Sequence, residues 1–209
     1  MNRRDFFKRT GLGGAALTIG SPSVVRTIYA QAGESFRAGF AERDITPEIG
    51  MEKPGGYGKV FLDRFHDPCK VRIAVFENGR QTVALVGTDS LIIPRHLVLE
   101  ARQEIYDRCG IDPNAILVGA SHSHSSGPVG MVQPGEYDHA SELVQKLAYE
   151  KSSCADPKYL DLVRRQIVDG VCAAYSSRRE ARCGVGLGHE DKVAFNRRFR
   201  MKNGLSYTH

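Results

Sequence analysis

The sequence predicts an α/β domain on a mixed sheet with at least one right-handed β-α-β crossover. Two observations carry this. Residues 69–77 and 81–87 are rich in β-branched and apolar side chains and flank Asn78-Gly79-Arg80, the pattern of a hairpin. Residues 95–108 then place Leu97, Ala101 and Ile105 on a helical period that Gly110 and Pro113 stop, and another apolar run, 115–120, follows. Strand, helix and strand in that order imply a parallel pair joined by a right-handed crossover, with both strand ends at one edge of the sheet.

Asn2-Arg3-Arg4-Asp5-Phe6-Phe7-Lys8 precedes a weakly apolar run from Gly11 to Val25 and then the small-residue site Ala30-Gln31-Ala32. That order of features is expected of a twin-arginine export signal, removed after Ala32. The run is interrupted by glycines and by Pro22, so it falls short of the about 20 apolar residues of a stable transmembrane helix. The expected organisation is a signal over 1–32 and one domain over 33–209, exported to the periplasm or beyond with the twin-arginine machinery as a transient partner. Residues 1–32 carry Arg3, Arg4, Lys8, Arg9 and Arg26 against Asp5, most of the +5 net charge of the chain. The nearly neutral remainder argues against nucleic-acid binding through a basic face. The five cysteines are far apart and form no Cys-x-x-Cys, which excludes a thioredoxin-like motif and a cysteine zinc site and leaves room for one disulfide.

A first strand is expected near 36–43, followed by Asp44-Ile45-Thr46-Pro47 and a glycine-rich loop, Pro54-Gly55-Gly56-Tyr57-Gly58. No helix signature follows those glycines, so the loop reads as a rim or lid over a site and not as a phosphate cradle. The second hairpin strand runs into Thr88-Asp89-Ser90. Beyond 115–120 lies Ser121-His122-Ser123-His124-Ser125-Ser126-Gly127-Pro128. If the strand continues through His124, the two imidazoles at i and i+2 face one point, a candidate half-site for zinc; the competing reading is a polar loop whose histidines bond to backbone. Asp89 is expected at the same sheet edge, where ligands of open α/β sheets bind. It can ligate a metal, orient a ligand histidine, or cap the following helix. A second long helix is expected over about 158–176, with Leu160, Val163, Ile167, Val171 and Ala174 on its core face, then a strand near 181–189 and a turn at Lys202-Asn203-Gly204.

The order Ala41-Glu42-Arg43-Asp44-Ile45-Thr46-Pro47, Gly55-Gly56-Tyr57-Gly58, His66-Asp67-Pro68, Thr88-Asp89-Ser90, the double-histidine segment and Phe195-Asn196-Arg197-Arg198 resembles the N-terminal catalytic domain of neutral/alkaline non-lysosomal ceramidases, from about residue 36 onward. The resemblance implies a zinc-dependent hydrolase that splits a lipid amide, ceramide, into sphingosine and a fatty acid. It implies His122 as a zinc ligand, His124 beside it on the substrate or the developing oxyanion, and Arg197, or Arg198, in the active site. The family's remaining zinc ligands, a second histidine, a glutamate and a tyrosine, come after the Asn-Arg segment and have no counterpart here, so the expectation is an incomplete ceramidase-like catalytic domain.

Two other readings compete. Another metal-dependent amide or ester hydrolase, such as an amidohydrolase barrel, needs the histidine pair on its first strand. A non-catalytic exported fragment is favoured by a count of two histidines, one short of the three protein ligands usual for catalytic zinc. No Gly-x-Ser-x-Gly elbow supports a serine hydrolase.

The export reading makes a direct prediction. Replacing Arg3 and Arg4 together by Lys leaves the full-length precursor in the cytoplasm, read by fractionation and immunoblot; continued export of the double variant contradicts it.

Overall fold

In a computed structural model the structure describes residues 35–56, 58–184 and 186–208; the signal read over residues 1–32 lies outside them. The chain divides into two units, whose described parts are residues 35–182 and residues 183–208.

The larger unit is a mixed sheet backed by two helices. β1 (Arg37–Asp44), β2 (Lys70–Glu77) and β3 (Thr82–Thr88) form an antiparallel meander, with Asn78 and Gly79 in the β2–β3 turn. Gly79 there has a φ of 84°, and the Asn78 side chain accepts the Gln81 amide at 3.0 Å, so the hairpin signal is met by its own turn chemistry. α1 (Arg95–Cys109) then carries the chain across, and β4 (Ile116–Ala120) pairs parallel to β3. The register sets Thr88 opposite Ala120, which brings both strand ends to one edge as expected. After a short helix, α2 (Glu142–Gln145), and one wider turn (Lys146–Lys151) comes α3 (Pro157–Ser176). β5 (Arg179–Glu180) closes the sheet antiparallel to β1, in the order β4-β3-β2-β1-β5.

Alternation places the core. Val71, Ile73 and Val75 of β2 and Ala84 and Val86 of β3 face the helices. Leu97, Ala101 and Ile105 of α1 and Val163, Ile167 and Val171 of α3 meet them. The helix starts have local causes: Asp156 caps α3 by accepting from the amides of Lys158 and Tyr159, with Pro157 in the first turn. α1 ends at Gly110, whose φ of 72° lets its amide bond back to the Tyr106 carbonyl. α1 and α3 are also joined by a Cys109–Cys172 disulfide, with Cα atoms 6.2 Å apart, and by the Arg108–Asp169 and Arg164–Glu104 ion pairs. The other sheet face is open, with Phe40, Leu85 and Leu117 exposed in one row that crosses four strands through Ala74 of β2. Among the described residues no helix is long and apolar enough to cross a membrane.

Three sequence expectations are corrected. The strand expected to run on through His124 ends at Ala120: His122 takes a left-handed backbone with φ 62°, although the Ser121 and Ser123 amides still bond to Thr88 and Ser90. The strand expected near 181–189 is reduced to β5: Ala181 donates to the Phe36 carbonyl and the described residues from Arg182 to Glu190 form no strand. The helical segment 142–151 is additional; its few exposed apolar residues, Leu143, Val144 and Leu147, make too short a pattern to stand out. In the second unit β6 (Arg198–Arg200) and β7 (Ser206–Thr208) pair antiparallel around the expected turn, where Gly204 has a φ of 80°.

The Asp-Ile-Thr-Pro segment has a structural use. Asp44 ends β1 by accepting the Thr46 amide at 2.8 Å and the Lys70 ammonium at 2.9 Å, and the Thr46 hydroxyl accepts the Cys69 amide at 3.0 Å. Hydrogen bonds from the Thr46 side chain and amide, then from Lys70, hold the Asp44 carboxyl down at about 2 from an ordinary 3.8. A carboxylate with a depressed folded value stabilises fully above its ordinary value and loses that contribution as pH falls. Between pH 3.8 and about 2, therefore, the urea midpoint of the wild type falls more steeply than that of Asp44→Asn. Equal slopes would show that Asp44 contributes nothing to acid stability.

Candidate functional site

The site is built where the parallel pair β3–β4 runs out. The ladder continues past both strand ends: the Ser121 amide donates to Thr88 at 3.0 Å and the Ser123 amide donates to Ser90 at 3.1 Å. Below them the hydroxyls of Thr88 and Ser90 bond to each other at 2.7 Å, and Thr88 also donates to the Gly119 carbonyl at 3.0 Å. Both side chains are buried, so their hydrogen bonds must be satisfied internally, and they fix the two segments as one piece. His122, held between two anchored serines, takes a left-handed backbone with φ 62°. That conformation costs a non-glycine residue about 1 to 2 kcal/mol, and the flanking bonds hold it in place.

Each imidazole is then fixed by a backbone carbonyl. His122 Nδ1 lies 2.9 Å from the Leu91 carbonyl oxygen and His124 Nδ1 lies 3.0 Å from the Gly55 carbonyl oxygen. A carbonyl only accepts, so in both neutral rings Nδ1 carries the hydrogen and Nε2 the lone pair. Among the described residues neither Nε2 has a hydrogen-bond partner. The rings meet edge to face, centroids 5.0 Å apart and planes at 83°. They do not form the same-side pair of an extended strand, yet they remain neighbours.

The glycine-rich loop is the second wall, which agrees with its reading as a rim. Gly55 has a φ of 86°, and a Cβ there would come within 2.5 Å of His124 Nδ1, so only glycine presents this carbonyl to the ring. Behind the histidines Gly127 packs flat on Tyr159, where a Cβ would come within 2.2 Å of the ring. The Tyr159 hydroxyl donates to the Ile45 carbonyl at 2.6 Å, and burial pushes its phenol well above the ordinary value.

The other expected residues are placed as follows. Asp89 accepts the Lys70 amide at 3.0 Å and the Arg72 guanidinium at 2.9 Å through one carboxylate oxygen. It does not cap α1, whose N-cap residue is Pro94, and the atom that holds His122 Nδ1 is the Leu91 carbonyl. Asp89 and Ser121 line a shallow groove with Arg72, Gly87 and Gly119. His66 is exposed and pairs with Asp67, whose hydrogen bond raises the imidazole above its ordinary value. Arg197 and Arg198 belong to the second unit, with Arg198 in β6 and its amide bonded to the Asn196 side chain at 2.9 Å. Sequence reasoning missed the two holding carbonyls, Leu91 and Gly55, because a backbone acceptor has no residue signature. Gly55 alone was signalled, through the loop composition.

Among the described residues no three or more His, Cys, Asp or Glu side chains come together as a metal site. The donor chemistry of His122 suits zinc, a neutral ring with Nδ1–H on a carbonyl and Nε2 free, so the described residues fit one corner of a zinc site and not the whole of it.

No protein-family model matches the sequence, and no curated protein matches it significantly. The solved structures it resembles include two ceramidases. A crystal structure of neutral ceramidase from Pseudomonas aeruginosa superimposes with a TM-score of 0.56 at 17% identity, over 70% of this chain and 22% of that one. A ceramidase complexed with C2 gives a TM-score of 0.52 at 18% identity, over the same 70% and 22%. The fold is ceramidase-like. The chain spans about a fifth of the length of these ceramidases, and the likeness is one of architecture.

Proposed function

We propose that this chain contributes part of the active site of a zinc-dependent hydrolase of a lipid amide, cleaving an N-acylsphingosine to sphingosine and a fatty acid. The observation that supports it most is the pinning of both Nδ1–H groups on backbone carbonyls, which leaves the Nε2 lone pair free on each of two neighbouring rings at the ligand-binding edge of the sheet. The ceramidase-like fold supports the substrate class.

In this reading His122 Nε2 is one zinc ligand and the other ligands come from polypeptide outside the described residues. Zinc, when bound, supplies Lewis-acid activation of water and of the amide carbonyl. His124, whose ring is turned 83° from that of His122, stands on the substrate side. Its Nε2 takes a proton, then donates to the developing oxyanion or passes the proton to the departing amine. Arg197 is assigned to the active site on the family resemblance alone. Asp89, already paired with Arg72, steadies the groove wall next to Ser121. Export by the twin-arginine route to the periplasm or beyond belongs to the same proposal, and the Cys109–Cys172 disulfide supports an oxidising compartment.

Metal content and turnover separate the two histidines. In a version of the protein that carries the further ligands, His122→Ala loses zinc by elemental analysis. His124→Ala keeps zinc and loses about a hundredfold or more in hydrolysis of a fluorogenic ceramide. Equal zinc loss in both variants makes His124 a ligand, and full zinc with full turnover in His122→Ala overturns the proposal.

A further inference from the structure

The carbonyl that holds His124 lies on a loop that is itself closed and tethered. Residues 50–53 and 60–62 pair across the loop base: Gly50 donates to Leu62 at 2.8 Å, Leu62 to Met51 at 2.9 Å and Lys53 to Val60 at 2.7 Å. Gly55 lies at the tip, between Lys53 and Val60. At the base the Glu52 carboxylate spans two elements. One oxygen pairs with the Lys59 ammonium, closing the loop on itself, and the other accepts the Cys154 amide at 2.8 Å. Both charged side chains are mostly buried, at 14% and 24% exposure for Glu52 and Lys59, so the pair is screened by water far less than a surface bridge.

Cys154 belongs to the same piece of structure as the histidines. The chain just after the double-histidine segment pairs with it: Val132 donates to Ser153 at 3.1 Å, Ala155 to Val132 at 2.9 Å and Asp156 to Pro128 at 2.9 Å. Glu52 therefore ties the loop carrying the Gly55 carbonyl to the strip that continues from His124. The ring and its acceptor are each held from the same side. His122 has no share in this arrangement, because its acceptor is Leu91 at the end of the β3 segment.

We infer that Glu52, with Lys59, is a positioning residue for His124: it holds the Gly55 carbonyl on Nδ1 and so keeps the Nε2 lone pair available to the substrate. The inference rests on the role proposed for His124 above, but it is tested on the ring itself. Its physical content is an acceptor fixed within hydrogen-bond distance, without which a neutral imidazole exchanges between two tautomers.

Long-range 1H–15N correlation spectra of the imidazoles, recorded near pH 8 where ordinary histidines are neutral, read the tautomer directly. In the wild type both rings show the Nδ1–H form. In Glu52→Ala and in Lys59→Met, His124 populates both tautomers while His122 keeps Nδ1–H, so that one ring serves as the control for folding of the other. Glu52→Gln, which keeps an acceptor for the Cys154 amide, gives a smaller change than Glu52→Ala. The inference is overturned if His124 retains a single Nδ1–H form in both Glu52→Ala and Lys59→Met, or if His122 changes as much as His124. Absence of amidase activity does not affect this readout, and the zinc measurement decides that reading separately.

Discussion

Two hydrogen bonds beyond the end of a parallel strand pair govern the geometry of this molecule's candidate site. Ser121 to Thr88 and Ser123 to Ser90 extend the β3–β4 ladder by one more step on each side of His122. A residue with anchored neighbours before and after it has few backbone choices. His122 takes the left-handed one, and histidine is among the residues that tolerate it best. Its ring then meets the Leu91 carbonyl, while His124, two residues on, turns toward Gly55.

The rest of the larger unit secures those two segments from behind. The buried Thr88 and Ser90 hydroxyls fix one side. On the other, Gly127 lies flat against Tyr159, and Tyr159 reaches back to the Ile45 carbonyl within the turn that Asp44 and Thr46 close. The Asp-Ile-Thr-Pro segment thus supports the site without reaching any reacting group: it ends β1 and provides the acceptor for a buried phenol. Glu52 adds a third tie through Cys154. A histidine pair on a solvent-facing turn acquires its order from contacts with four separated stretches of chain.

Much of the architecture was legible in the sequence because it rests on side-chain pattern. The hairpin, α1, β4 and α3 each follow a periodicity or a turn residue that the structure uses, from Gly79 and Gly110 to the Val163-Ile167-Val171 face. The edge that gathers Asp89 and the histidines followed from strand order alone. What was not legible depends on atoms that every residue has. The strand end at Ala120 comes with the left-handed backbone of His122, and the partners of both imidazoles are carbonyls, so no residue type announces them. The helix at 142–151 was missed for a different reason, since its large apolar residues are exposed and only Ala148 is buried, which makes no stripe. Arg197 was assigned through resemblance, and it falls in the second unit, described separately from the histidine turn.

The central claim is that the double-histidine turn is a continuation of the sheet and not a loop that happens to lie beside it. Amide hydrogen exchange at Ser121 and Ser123 tests this most directly, since both residues stand outside any strand and Ser121 is exposed. If their amides are bonded to Thr88 and Ser90 as described, they exchange with protection comparable to Val86 and Gly119 within the parallel pair. Exchange of both at the rate of an unstructured chain, with Val86 and Gly119 still protected, would contradict this continuation of the sheet.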